Sequence, residues 1–215
     1  MQTKTDKKDW VLISLAWVTF LLHISYMWYT GIQNGTGTGE ASRSILFPLY
    51  SCNLSMYLLL ALLFIPRGKL WDIIAVATAY AGVIGGIASI TDYLMDPNWQ
   101  SYEFMKSLLS HLTLTAGCVW LFIKYIKISV KNLLPCLYYI ALCLIDALFL
   151  MWLLPGANPM WLRSPLVDDV SFLIGWNLGW LFMLSIGTFC LIWDLVKYKG
   201  KINLAFRSPH TPTAK

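Results

Sequence analysis

Six runs of mainly apolar residues, near 10–29, 46–65, 71–94, 105–126, 133–154 and 170–196, dominate the chain. Each is long enough to cross a bilayer as a helix, which takes about 17–25 such residues. The pattern predicts an all-α, six-transmembrane-helix bundle over residues 10–197, with a short tail at 1–9 and a polar, disordered tail at 198–215. No connection leaves room for a separate soluble domain. The first run follows "KTDKKD" but is too long for a signal peptide and lacks a small-residue cleavage site, so it reads as a retained span. The connection "GIQNGTGTGEASRS" is rich in glycine and threonine and reads as a flexible cover or connector.

Inside the runs, the polar positions are not scattered. "FPLYSCNLSMYLLLALLF", residues 47–64, ends as an ordinary membrane helix but begins with Tyr50, Ser51, Cys52, Asn53 and Ser55. Unpaired polar groups cost several kcal/mol in hydrocarbon, about 2–7 by transfer data. At about 1.5 Å per residue, Cys52 lies ~9 Å inside the start of its span and His111 ~10 Å inside its own. His23, Asp146 and Asn177 fall at about 9–12 Å from the same surface, whereas the opposite half carries no comparable group. Helical spacing puts Ser107, His111, Thr115 and Cys118 on one face, and Cys136, Tyr139, Cys143 and Asp146 on another. Pro48 fits the first turn of the second helix, where its missing N–H is tolerated. Together these positions predict a polar pocket in one half of the bundle.

Charge fixes which half. Thirteen basic residues, from Lys4, Lys7 and Lys8, Arg67 and Lys69, Lys124, Lys127 and Lys131, to Lys197, Lys199, Lys201, Arg207 and Lys215, flank one side. Only Arg43, Lys106 and Arg163 flank the other. Basic residues concentrate on the cytoplasmic side, so both termini are expected there and the pocket in the outer half of a cell membrane. With 58% hydrophobic and 13% charged residues, against about one-quarter charged in soluble domains, the net charge of +5 belongs to membrane anchoring and not to a nucleic-acid partner. Cys52, Cys118, Cys136, Cys143 and Cys190 have no paired spacing, which argues against a disulfide framework, a metal site or a bound cofactor.

Among these groups, Cys52 and His111 carry the sharpest chemistry. A thiol with a pKa of about 8.5 is mostly protonated at neutral pH, and a nearby imidazole can take its proton. A cysteine and a histidine, oriented by Asp146 or an asparagine, form the general arrangement for acyl transfer. His23, Tyr50, Asn53, Ser55, Asp146 and Asn177 would line or orient such a pocket. Serine, threonine and asparagine also serve as plain interhelical glue. A small-molecule binding or transport subunit suits the same polar pocket, and so does a non-catalytic structural role.

Three stretches resemble the YwaF-like family of integral membrane proteins, a bacterial family related to a eukaryotic transmembrane lipid acyltransferase. "FPLYSCNLSMY" is similar to the family's proline-leucine-x-x-cysteine motif. "SYEFMKSLLSHLTL" is similar to its aromatic start of the histidine-bearing span. "NPMWLRSPLVDDVSFLIGWNL", which begins at Asn158, is similar to its asparagine-leucine-proline segment. The order and spacing agree over most of residues 45–195, although many bacterial members carry histidine at the position of Tyr50, and the family version of "GWNLGW" is richer in proline. The resemblance implies a bacterial plasma-membrane enzyme acting on membrane lipids. It further implies Cys52 as acyl carrier, His111 as base and Asn158 among the pocket-lining or orienting residues.

Overall fold

The computed structural model describes residues 9–34, 48, 50–95, 99–153 and 172–197, and side chains throughout these except 26–34, 92 and 172–183. Among them the chain forms α1 (Trp10–Asn34), α2 (Ser51–Ala61), α3 (Lys69–Met95), α4 (Tyr102–Lys124), α5 (Leu133–Leu153) and α6 (Phe172–Lys197), with a 3-10 turn at Val130–Asn132 and no strand. Three segments, Lys69–Met95, Tyr102–Lys124 and Val130–Leu153, are long and apolar enough to cross a membrane. Of the predicted tails at 1–9 and 198–215, all but Asp9 lies outside the described residues.

Local chemistry sets the helix ends. Ser101 caps α4, its hydroxyl accepting the Phe104 N–H at 3.4 Å. Glu103 in the first turn and Lys124 in the last complement the helix dipole. The second helix is shorter than its apolar run. Tyr50 is extended at φ −127° and ψ 153°, so the helix opens at Ser51 and Pro48 lies in a turn before it, not in its first turn. At the other end, Leu62–Phe64 form a turn and Pro66 and Gly68 follow, neither favouring a continued helix.

Successive helices run antiparallel. Trp71 at the start of α3 packs edge-on against Tyr125 just past α4, with ring centroids 5.2 Å apart, while Tyr93 near the end of α3 meets Phe104 at the start of α4 at 5.8 Å. Helix α1 lies along α4 in the opposite sense, with Asp9 beside Trp120 and Tyr125, and Ser25 accepting the Tyr102 hydroxyl at 2.5 Å. Leu12, Met56, Leu59, Trp71, Ala75, Leu114 and Leu121 fill the centre, all at most 1% exposed.

The crossing of α3 and α4 depends on glycine. A Cβ at Gly82 would run into the Cys118 sulfur, and one at Gly86 into the Thr115 hydroxyl, with the His111 carbonyl oxygen 3.4 Å away. Small residues four apart let two helical backbones approach, which matters where lipid supplies no hydrophobic drive. Gly85 differs. A Cβ there would meet only the Cys52 Cβ, at an ordinary 3.9 Å.

Polar groups are not confined to one end, contrary to the expectation from hydropathy. Opposite the Cys52 end, the buried Asp9 carboxylate accepts from Trp120 Nε1 at 3.1 Å, from the Tyr125 hydroxyl and from the Leu12 N–H, and pairs with Lys124 Nζ at 3.0 Å. Burial raises its pKa, but the bonds from Tyr125, Lys124, Trp120 and Leu12 outweigh this and bring it down to about 2 from 3.8. Asp194, 1% exposed, accepts the Ser129 hydroxyl at 3.0 Å and the Val130 N–H at 2.9 Å. It thereby caps the turn that leads into α5. The Asn132 amide donates to the Tyr80 hydroxyl at 3.2 Å and to the Lys127 carbonyl at 3.0 Å, and Tyr80 reaches the Cys190 sulfur at 3.2 Å. The Arg67 guanidinium lies over Trp71 at 3.6 Å and Tyr125 at 4.2 Å. Two carboxylates, one from the start of α1 and one from the last turn of α6, thus grip the same connection, residues 125–132.

Candidate functional site

The start of α2, the glycine pair of α3 and the middle of α4 meet at the opposite end. Cys52 faces Gly85, while the backbone of His111 lies against the neighbouring Gly86. The two residues singled out for chemistry therefore flank one glycine pair. The missing side chains bring both α2 and α4 close to α3 at this level.

His111 is 6% exposed, and its Nδ1 lies 2.7 Å from the Ser107 carbonyl oxygen one turn earlier. A carbonyl can only accept, so Nδ1 carries the proton and Nε2 holds the free lone pair. That Nε2 is buried and has no hydrogen-bond partner. The Tyr93 ring packs against the imidazole with centroids 5.8 Å apart, and the Thr115 hydroxyl donates to the His111 carbonyl at 2.8 Å. Ring and backbone are both held, and the basic nitrogen is left open. The Cys52 thiol is bonded not to His111 but to its neighbour, donating to Asn53 Oδ1 at 3.5 Å. Sulfur bonds of that length are weak, and rotation of one side chain releases it.

His23 of α1 joins this cluster. It is 3% exposed, its Nε2 is buried without a partner, and its ring stands edge-on to Tyr57 of α2 at 5.7 Å. Lys106, counted in the sequence among the basic residues flanking the spans, lies in the second turn of α4 and is half-buried. Its spacing of five residues from His111 hid it, because that spacing shares no helical face. Its four-residue spacing from Tyr102, which bonds Ser25 of α1, was the usable signal.

The other predicted residues divide. Ser55 is fully buried in a clamp between helices. The Tyr139 hydroxyl donates to the Ser51 carbonyl at 2.6 Å and lies 2.8 Å from the Ser55 hydroxyl, which itself reaches that carbonyl at 3.0 Å. This fully paired set ties α2 to α5, so much of the polar row that opens α2 is interhelical glue. Tyr50 is the half-buried N-cap residue of α2, with no side-chain cap bond. Asp146 lies half-buried in α5 with Oδ2 lacking a hydrogen-bond partner. The backbone of Asn177 is helical within α6, whereas its side chain and the whole of Asn158 lie outside what the structure describes. Among the described residues, no three His, Cys, Asp or Glu side chains converge as metal ligands. Comparison with protein families, with curated proteins and with solved structures finds no match to this chain.

Proposed function

We propose that the chain is a six-span membrane protein, with both termini cytoplasmic, that transfers or hydrolyses a lipid acyl group through Cys52 and His111 in the outer half of the bilayer. The carrying observation is the His111 imidazole. A buried ring whose Nδ1 is engaged by a backbone carbonyl and whose Nε2 has no partner, on a helix that meets the same glycine pair as Cys52, is arranged as a base awaiting a proton. The resemblance of the cysteine and histidine motifs to the YwaF-like family supports the same assignment. An even number of crossings is supported by the start of α1 and the end of α6 meeting one connection. The thirteen-to-three basic asymmetry supports the orientation.

In this reading, Cys52 gives its proton to His111 Nε2 and the thiolate adds to the ester carbonyl carbon. The tetrahedral oxyanion then collapses, the carbon–oxygen bond breaks, and the departing alcohol takes the proton back from Nε2. An acceptor alcohol or water next gives its proton to Nε2 and attacks the thioester. The cysteine sulfur leaves as thiolate and recovers the proton. Asn53 and the first backbone N–H groups of α2, which opens at Ser51, would donate to the oxyanion.

Lipid analysis of cells carrying wild type or Cys52→Ala tests the chemistry: wild type alone changes the acyl-chain distribution of one lipid class. A folded Cys52→Ala protein with full cellular function would sink the acyl-enzyme reading. The partnerless Asp146 carboxyl favours a second reading, a binding or transport subunit. That alternative predicts a silent Cys52→Ala and an inactive Asp146→Asn. The topology has its own test. Reporters fused at residue 36 and at the carboxyl terminus are expected to give opposite sidedness, and matching signals would mean an odd number of crossings between them has been miscounted.

A further inference from the structure

We infer that Arg67 holds the phosphate of an anionic membrane lipid in its guanidinium fork, at the end of the bundle opposite Cys52. Arg67 lies in the turn between α2 and α3, and its guanidinium sits in the corner of two rings. The distances are 3.6 Å to the centroid of Trp71 and 4.2 Å to that of Tyr125. Both walls are fixed. Trp71, 1% exposed, donates Nε1–H to the Leu62 carbonyl at 2.9 Å, and the Tyr125 hydroxyl is held by Asp9. An arginine held in this way has less freedom to lose on binding. Ring faces attract the cation but offer no lone pair to its five N–H donors. Its Nη1 is buried without a hydrogen-bond partner. Among the described residues no carboxylate pairs with it either. Asp9 is taken by Lys124 at 3.0 Å, and Asp72 in the first turn of α3 is engaged elsewhere.

A partly buried cation without a counter-charge calls for an anion. The guanidinium charge is delocalised, so an acceptor at the open edge of the fork compensates the whole group. Arg67 is half-buried, and a Cβ added at its neighbour Gly68 would meet nothing within 4 Å, so space is open beside it. The planar fork matches paired phosphate oxygens. Position and neighbours select a lipid over free phosphate. Helix α3 is long and apolar enough to cross a membrane and starts at Lys69, which sets Arg67 at headgroup level. Phe64 and Leu70, three residues to either side of Arg67, are 69% and 61% exposed, and Ile123 beside Lys124 is 72% exposed. These side chains suit acyl chains and offer a soluble anion nothing. The exposed Lys69 adds positive charge for the headgroup.

The test counts lipids bound to full-length protein in detergent by native mass spectrometry, as dioleoyl phosphatidylglycerol, dioleoyl phosphatidylcholine or inorganic phosphate is added. Wild type is expected to retain phosphatidylglycerol in preference to phosphatidylcholine, and to keep it in excess inorganic phosphate. Losing the charge-assisted hydrogen bonds of the fork in Arg67→Met is expected to weaken that retention about ten- to a hundredfold. Lys127, exposed two residues beyond Tyr125, contributes only general surface attraction, so Lys127→Met is expected to cost at most about fivefold. Arg67→Lys keeps the charge without the fork and is expected to fall between wild type and Arg67→Met; it also serves if Arg67→Met does not fold. Equal losses in Arg67→Met and Lys127→Met would overturn the inference, because they mark the diffuse pull of a basic surface. Full retention in Arg67→Lys would overturn it too, as would a wild type indifferent to the two lipids. Displacement by inorganic phosphate would give the corner to a free anion and sink the lipid assignment. None of these readouts involves Cys52, so failure of the acyl-transfer reading leaves them unchanged.

Discussion

Replacing His111 by glutamine slows covalent labelling of Cys52 by an acyl-thioester or fluorophosphonate probe by about 10²–10⁴-fold, the usual worth of a positioned general base. The size of the effect follows from the tautomer. Because the Ser107 carbonyl holds Nδ1–H, the only basic atom His111 offers is Nε2, and that atom has no competing partner. Glutamine resembles the ring in polarity and fills part of its space, but it cannot accept a full proton at neutral pH. The variant therefore tests the base while perturbing packing against Tyr93 less than alanine would. His23→Gln serves as the control, since His23 presents an equally unpartnered nitrogen but lies on α1. Labelling that survives His111→Gln and fails in His23→Gln would assign the base to the wrong helix. Labelling unaffected by either change would remove histidine from the mechanism.

At the other end of the bundle, Asp9→Ala is expected to lower stability by about 2–4 kcal/mol, visible as a reduced unfolding temperature in detergent. The exposed Lys124 contributes little of this, because solvent screens an ion pair at the surface. The main cost comes from Trp120 Nε1 and the Tyr125 hydroxyl, part-buried donors left without their charged acceptor; such bonds are worth about 1.5–3 kcal/mol each and do not simply add. The acid dependence has a definite sign. The folded-state pKa of about 2 lies below the ordinary 3.8, so the carboxylate's contribution is complete above about pH 4 and disappears as pH falls through about 2. The gap between wild type and Asp9→Asn is therefore expected to close across that window. Equal unfolding temperatures at neutral pH would show that the cluster is decorative.

Hydropathy made the helices legible, because a membrane leaves the backbone few choices other than a helix. It also brought Cys52 and His111 to one level, since depth along a straight helix is a matter of counting. Counting could not separate Ser55 from Cys52. One is locked to Tyr139, 84 positions away, and the other is not, and only the fold brings Tyr139 to α2. The second polar layer stayed hidden for a related reason. Asp9 and Asp194 lie at the ends of apolar runs, where a carboxylate facing water and one buried against a distant partner have the same local sequence. Lys106 was counted as a topological charge because it begins a span, which says nothing about the face it occupies.

The grip of Asp9 and Asp194 on residues 125–132 bears on the order in which the chain can assemble. The Asp9 carboxylate finds its ring partners 111 and 116 residues downstream. Asp194 is made last and reaches back 64 and 65 residues to the same connection. As the chain is synthesised, α1 is complete long before the partners of the Asp9 carboxylate at its foot exist. It therefore waits as a loosely tethered helix until α4 is complete. The final helix then finds its dock already built, because the connection has been ordered from the other side. Truncations that stop before residue 125 are consequently left with an unsatisfied acid at the foot of their first helix, which is the kind of defect that membrane quality control recognises.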